Sequence, residues 1–188
     1  ASNASMEQGA KLAPRNLWYQ IYGAKDRSFQ LDLVRRAKDL GLSTIAVTCD
    51  VPVSSNRERN RRNGFVRPLR MTLPTILEAM LHPEWVYTYF KNGGLPMLGN
   101  WQPYAPNGST PDQVADVFAA QTPDASQTWR DLEAIRAAWP GKLLLKGVMH
   151  PEDARIAMGL GLDGLIVSNH GARQLDNMPS PIDVLPMI

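Results

Sequence analysis

The sequence predicts a parallel α/β fold, and three observations carry the prediction. Four short apolar runs alternate with segments of helical periodicity. The second run, Thr44-Ile45-Ala46-Val47-Thr48, has the unbroken apolar centre of a strand covered on both faces. A length of 188 residues with 44% hydrophobic and 20% charged residues is globular composition, enough for one packed core.

Leu17-Trp18-Tyr19-Gln20-Ile21-Tyr22, rich in aromatic and β-branched residues, reads as the first strand. Residues 26–41 place Phe29, Leu33, Val34, Ala37 and Leu40 at three- and four-residue spacing, a helix closed by Gly41. The second strand follows at Thr44, and roughly ninety residues then separate it from the third, far beyond an ordinary βα connection. This insertion is assigned to residues 67–128. Residues 71–91 are expected to be helical, with Leu73, Ile76, Leu77, Met80 and Leu81 on one stripe, and residues 92–109, rich in Gly, Pro and Asn, are expected to form loop. A helix over residues 129–139 leads into a third strand at 142–148. A helix at 151–160, with Glu152 and Asp153 near its positive end, leads into a fourth strand at 164–168. Four βα units do not close a barrel of eight, which typically takes about 250 residues. If the fold is a barrel, this chain holds part of it.

Composition narrows the function. The formal charge of +2 argues against nucleic acid, and Glu58 interrupts the one basic cluster, Arg57, Arg59, Arg61 and Arg62. The single Cys49 excludes a disulfide framework and points to a reducing compartment. His82, His150 and His170 lack metal-ligand spacing, so no metal site is expected. No run approaches the ~20 apolar residues of a membrane span, and Ala1-Ser2-Asn3-Ala4-Ser5 has no signal-peptide character. The first residue is not Met and the chain stops in Leu185-Pro186-Met187-Ile188, which reads as a processed or partial chain. Gly159-x-Gly161-x-x-Gly164 matches a dinucleotide-binding pattern, but it lies between helix and strand rather than strand and helix, so it reads as a helix end and turn. Asn107-Gly108-Ser109 fits a glycosylation sequon, which carries no meaning without secretion.

Polar residues cluster where the strands end. Gln20 and Tyr22 close the first strand, Thr48 and Asp50 the second, Lys146 the third, and Ser168, Asn169, His170 and Arg173 follow the fourth. In a parallel α/β fold these ends share one face, where ligands bind. A base, an acid, two kinds of cation and several hydroxyls therefore converge. Polar residues also occur at strand ends simply because strands meet loops there. A Lys after the apolar run Leu143-Leu144-Leu145, combined with a His-Gly-x-Arg turn, is a more specific signal.

Ser168-Asn169-His170-Gly171-Ala172-Arg173-Gln174-Leu175-Asp176 resembles the signature of the FMN-dependent α-hydroxy acid dehydrogenases and oxidases. Trp18-Tyr19-Gln20-Ile21-Tyr22, Thr48-Cys49-Asp50-Val51-Pro52, Arg57-Glu58-Arg59 and Leu145-Lys146-Gly147-Val148 are similar to further motifs of that family, so the resemblance covers nearly the whole chain. His82-Pro83-Glu84-Trp85 and Gly99-Asn100-Trp101 look most like its membrane-associated bacterial members, which oxidise (S)-mandelate or L-lactate. The resemblance implies a (β/α)8 barrel, of which about four βα units are present, and FMN as cofactor. It makes His170 the catalytic base, held by Asp50. Arg57 and Arg173 become clamps on the substrate carboxylate, and Tyr22 a hydroxyl partner of substrate. Gln20, Thr48 and Lys146 become contacts of the flavin ring. It further implies a 2-hydroxy acid substrate, a membrane quinone as electron acceptor, a peripheral position on the cytoplasmic side of the inner membrane, and a homo-oligomer, by resemblance a tetramer. The family's N-terminal segment and first strand, and its last two strands, which hold the FMN phosphate, have no counterpart here. The chain alone is therefore expected to bind FMN poorly.

The chemistry asks for these residue types. A His that titrates near neutrality suits proton removal from a hydroxyl, and a carboxylate stabilises the imidazolium. Arg matches a carboxylate two-pronged, and a fixed ammonium stabilises negative charge on a flavin. Two other readings stay open. Lys146 in an apolar pocket is the nucleophile of a Schiff-base lyase or aldolase, and a non-catalytic fragment serves assembly or membrane attachment.

The insertion concentrates aromatic residues: Trp85, Tyr87, Tyr89, Phe90, Trp101 and Tyr104 all lie there. An apolar helix flanked by Trp and Tyr can lie in a membrane interface without spanning it. Residues 67–104 are therefore the candidate membrane-binding segment, and packing against the barrel or a neighbouring subunit is the competing role.

Overall fold

The computed structural model describes residues 3–14, 16–64 and 71–188. Helix α1 (Met6–Leu12) starts in a capping box between Ser5 and Gln8. β1 (Trp18–Tyr22), α2 (Arg27–Asp39) and β2 (Thr44–Thr48) follow as predicted. The long connection carries α3 (Glu58–Arg62), α4 (Leu73–Met80), α5 (Pro83–Lys91), a 3-10 turn at Gln102–Tyr104 and α6 (Pro111–Gln121). It is followed by α7 (Trp129–Ala138), β3 (Lys142–Val148), α8 (Pro151–Gly159), β4 (Gly164–Val167) and α9 (Pro181–Val184).

The four strands form one parallel sheet in the order β1-β2-β3-β4, with Trp18 beside Thr44 and Thr44 beside Lys142. Strand alternation then sorts the side chains onto two faces. Ile21, Ile45, Val47, Leu143 and Leu145 pack under α2, α7 and α8, whose Leu33, Val34, Leu132, Ile135 and Ala157 complete a buried core. The other face carries Trp18, Gln20 and Tyr22 of β1, Thr48 of β2 and Lys146 of β3, and Trp18 there is 61% exposed.

β3 changes phase within this pattern. Lys146 pairs with Ile166 and Val148 with Val167, so Gly147 is an extra residue, a bulge at φ 111°. The bulge allows Lys146 to face the open side while Val148, two residues on, joins the core at 1% exposure. Gly159-x-Gly161-x-x-Gly164 ends α8 and turns into β4, with Gly161 at φ 73° and the Leu162 N–H donating to the Ala157 carbonyl, as a left-handed helix end does.

The insertion departs from expectation in three ways. The expected helix over residues 71–91 is two helices, α4 and α5, because Pro83 cannot supply an N–H to continue the first and instead begins the second. The stripe Leu73, Ile76, Leu77, Met80 and Leu81 is exposed throughout, and none of it is buried among the described residues. Residues 92–109 are not plain loop. Asn100 and Trp101 are buried, and the Asn100 side-chain oxygen accepts the Met6 N–H at 2.7 Å. Trp101 stacks edge-on with Tyr104 and Phe118, and Arg36 donates to the Asn100 carbonyl at 3.0 Å and to the Tyr104 hydroxyl at 3.2 Å. Trp101 and Tyr104 therefore belong to the core side, not to the outward aromatic group. Helix α6, opened by a capping box between Thr110 and Gln113, buries Val114 completely. Arg67, where the predicted insertion begins, lies outside the described residues, as do Ala1 and Ser2.

Candidate active site

The site is built on the ends of β2, β3 and β4. Asp50 stands two residues past β2, Lys146 lies in β3, and Ser168 and His170 follow β4. Gly147 makes the approach of β2 to β3 possible: a Cβ there would sit 2.7 Å from both the Asp50 Cβ and the Asp50 backbone nitrogen. The Cys49 N–H and thiol both donate to the Lys146 carbonyl, at 2.9 and 3.1 Å, and fasten the same junction.

Asp50 is the hub. Its Oδ1 meets His170 Nδ1 at 2.8 Å, and its Oδ2 accepts from Lys146 Nζ at 2.5 Å and from the Ser168 hydroxyl at 2.6 Å. Burial alone would raise the Asp50 pKa. The hydrogen bonds from Lys146, Ser168 and His170 outweigh it and hold the carboxyl below its ordinary range. An ionised Asp50 can only accept, so His170 Nδ1 carries the proton between them, and in the neutral imidazole Nε2 is then the acceptor. The Tyr22 ring stands 6.4 Å from the imidazole, and its hydroxyl pKa is raised by burial and by the Asp50 charge, which keeps it a protonated donor.

His170 is held in a strained turn. His170, Gly171 and Ala172 all take positive φ, at 60°, 67° and 54°, a conformation that disfavours side-chain-bearing residues. Local hydrogen bonds hold it. Ser168 Oγ accepts the His170 N–H at 3.0 Å, Asn169 Oδ1 accepts the Ala172 N–H at 3.1 Å, and Asn169 Nδ2 donates to the Pro179 carbonyl at 2.9 Å.

Gln20 and Thr48 lie on the same face, one strand apart, with Gln20 Nε2 donating to Thr48 Oγ1 at 2.7 Å. Lys146 stands directly beside Thr48 in the sheet register. The Schiff-base reading needs Lys146 in an apolar pocket, whereas its ammonium is engaged by Asp50 and Ser168. The two arginines are not drawn into the cluster. Arg57 precedes α3 and donates through Nε to Ser55 at 3.2 Å, and Arg173 makes no hydrogen bond or ion pair among the described residues. Among the described residues neither guanidinium has a carboxylate partner. Ser168, Asn169 and Gly147 carry structural roles that residue type alone did not reveal, although the Gly after Lys146 and the polar pair before His170 were visible signals. Among the described residues no group of three or more His, Cys, Asp or Glu could hold a metal.

The family model of the FMN-dependent dehydrogenases matches residues 1–188. The chain is 40% identical over 185 residues to an L-lactate dehydrogenase of Ectopseudomonas mendocina (strain ymp), covering 97% of this chain and 48% of that protein. It is 37% identical over 183 residues to an L-lactate dehydrogenase of Yersinia pestis (strain Pestoides F), with the same coverage. Among solved structures it is similar to the monotopic membrane protein (S)-mandelate dehydrogenase, with a TM-score of 0.91 and 36% identity over all of this chain and 49% of that one. A mandelate oxidase superposes with a TM-score of 0.70 at 35% identity, covering all of this chain and 43% of that one. The chain thus spans about half the length of the relatives it matches. Its four parallel βα units are a consecutive part of a (β/α)8 barrel, and the chain belongs to the FMN-dependent dehydrogenase family.

Proposed function

We propose that the whole protein oxidises a 2-hydroxy acid, mandelate- or lactate-like and of (S) configuration, to the 2-keto acid with FMN. The observation that carries this reading is the Asp50–His170 pair, which leaves Nε2 as a base beside a face of hydrogen-bond donors. FMN, when bound, supplies the acceptor for the hydrogen and electron pair that leave Cα. His170 Nε2 takes the hydroxyl proton, and Asp50, already ionised, stabilises the imidazolium that results. Lys146, Asp50 and His170 are neutral together before that transfer and carry one positive charge after it, which favours the arrival of electrons beside Lys146.

The residues present fit the ring of this cofactor. Gln20, Thr48 and Lys146 form a row of donors on adjacent strands, suited to the carbonyl and nitrogen edge of an isoalloxazine. Lys146 directs two of its three N–H groups to Asp50 and Ser168. His170 Nδ1, 3.4 Å away, cannot accept the third while it holds its own proton, so one donor remains for the ring. Arg173 and Arg57 grip the substrate carboxylate, and Tyr22 donates to the substrate.

The electrons pass to a membrane quinone, and the protein attaches peripherally at the cytoplasmic side of the inner membrane. The exposed apolar residues of α4 and α5, among them Leu73, Leu77, Met80, Trp85 and Phe90, support interfacial attachment, as does the likeness to a monotopic protein. Among the described residues no helix is long and apolar enough to cross a membrane.

The test is spectroscopic. The FMN-loaded whole protein, mixed without oxygen with (S)-mandelate or L-lactate, is expected to lose its oxidised-flavin absorbance. Persistence of that absorbance with both acids overturns the reading.

A further inference from the structure

Ser168 occupies a position that the base and its carboxylate partner do not explain by themselves. A serine hydroxyl has one proton to give and two lone pairs to receive, and here all three are used. Ser168 donates to Asp50 Oδ2 at 2.6 Å, and it accepts from Lys146 Nζ at 3.0 Å and from the His170 N–H at 3.0 Å. One hydroxyl thereby touches the carboxylate, the ammonium and the backbone of the base. We propose that Ser168 is a positioning residue that fixes the Asp50 carboxylate and the His170 turn in the one arrangement that leaves His170 Nε2 unprotonated. This inference rests on the proposed role of His170 as base.

The argument follows from what happens without the hydroxyl. Asp50 Oδ2 would keep Lys146 alone, and the carboxylate would be free to turn about its Cβ bond. Lys146, having lost an acceptor, lies only 3.4 Å from His170 Nδ1 and close to the same carboxylate, so it would compete for Oδ1. Once Oδ1 leaves Nδ1, nothing selects the Nδ1–H tautomer, and the alternative tautomer places its proton on Nε2, where it cannot act as base. The His170 N–H would also lose its acceptor in a turn that already holds a side-chain-bearing residue at φ 60°. Both losses fall on the geometry of the base and neither on the grip of substrate.

The experiment compares Ser168→Ala, Ser168→Thr and His170→Gln in the full-length, FMN-loaded enzyme. Ser168→Ala is expected to lower kcat about tenfold with KM within about twofold, the pattern of an interaction felt in the transition state. The deuterium isotope effect with substrate labelled at Cα should rise, and nitrogen-15 NMR of the histidines should show His170 losing its single Nδ1–H tautomer. Ser168→Thr keeps the hydroxyl and should restore both kcat and the tautomer. The inference is overturned if Ser168→Ala keeps kcat and the tautomer. It is equally overturned if the loss follows release of FMN or a fall in Tm that Ser168→Thr does not repair. Full activity in His170→Gln would instead overturn the assignment of the base, whatever Ser168 does.

Discussion

The carboxylate of Asp50 and the imidazole of His170, 120 residues apart in sequence, meet at 2.8 Å through Oδ1 and Nδ1. That single contact selects the tautomer, orients the ring and pre-places the negative charge that an imidazolium needs. It exists because β2 and β4 flank β3 in one parallel sheet, so the segments leaving their ends emerge on the same side.

Replacing the base tests its assignment directly. His170→Gln in the full-length enzyme should lower kcat by at least about 10²-fold, because general-base catalysis contributes about that much or more. FMN should stay bound, since the contacts suited to the ring come from Gln20, Thr48 and Lys146. Steady-state kinetics with a flavin spectrum checks both, and more than a tenth of wild-type kcat would remove His170 from the mechanism.

Gly147→Ala should damage site and stability together. The added Cβ would stand 2.7 Å from Asp50 backbone and side chain and 2.9 Å from Cys49 Sγ, at a backbone φ of 111° that only glycine takes readily. Relief requires Asp50 to move, so kcat should fall with a stability loss of about 1–3 kcal/mol. Urea unfolding alongside turnover measures the two effects, and a variant with wild-type values of both would show that the close approach is dispensable.

Acid should unfold the chain through its paired carboxylates. Asp50, Asp124 and Asp131 all resist the upward pull of burial because Lys146, Ser168 and His170, Ser126 and Arg27, and Thr128 and Arg27, respectively, hydrogen-bond to them, so their folded pKa values lie below the ordinary range. The unfolded chain then binds more protons than the folded one below about pH 4. Stability is therefore full above that pH and is lost as pH falls toward the folded values. Tm measured from pH 7 to pH 3 should drop steeply only in the last unit, and Asp124→Asn should lower Tm at neutrality while flattening the acid limb. An unchanged acid limb would mean that Asp124 does not contribute.

The α4–α5 hairpin can be removed without touching the core. Trp101 is buried and Tyr104 is bonded to Asp32 and Arg36, so the replacement should span residues 71–95 and spare both. A Gly/Ser linker over that stretch should release the enzyme from membranes while turnover with a soluble dye acceptor persists. If the intact protein fractionates as wholly soluble at low salt without detergent, the hairpin is a subunit interface instead.

Much of this was legible in the residues. The strands could be read because each is a short apolar run between turn signals, and the convergence of Gln20, Thr48, Asp50, Lys146 and His170 followed from parallel strands ending on one side. Other features also carry signals in the sequence. The Thr110-Pro111-Asp112-Gln113 capping pattern marks the start of α6, and Pro83 marks the break between α4 and α5. The outward aromatics could not be sorted by sequence, because Trp101 and Trp85 sit in similarly mixed surroundings and only one of them meets Phe29, Tyr104 and Phe118.

The part-barrel organisation was implied by resemblance to a family, while the sequence by itself determined the parallel α/β class and the residue types that could form a base, an acid and a cationic row. These depend on periodicity and on the chemistry of single side chains, which are local properties. Only the tertiary structure decided that Lys146 binds Asp50 rather than standing alone in an apolar pocket, that Ser168 joins all three partners, and that Arg57 and Arg173 remain outside the cluster. Hydrogen bonds depend on tenths of an ångström and on angle. Such distances arise from how the β3 bulge, the turn after β2 and the left-handed turn at His170 pack against one another, and no single stretch of sequence encodes them.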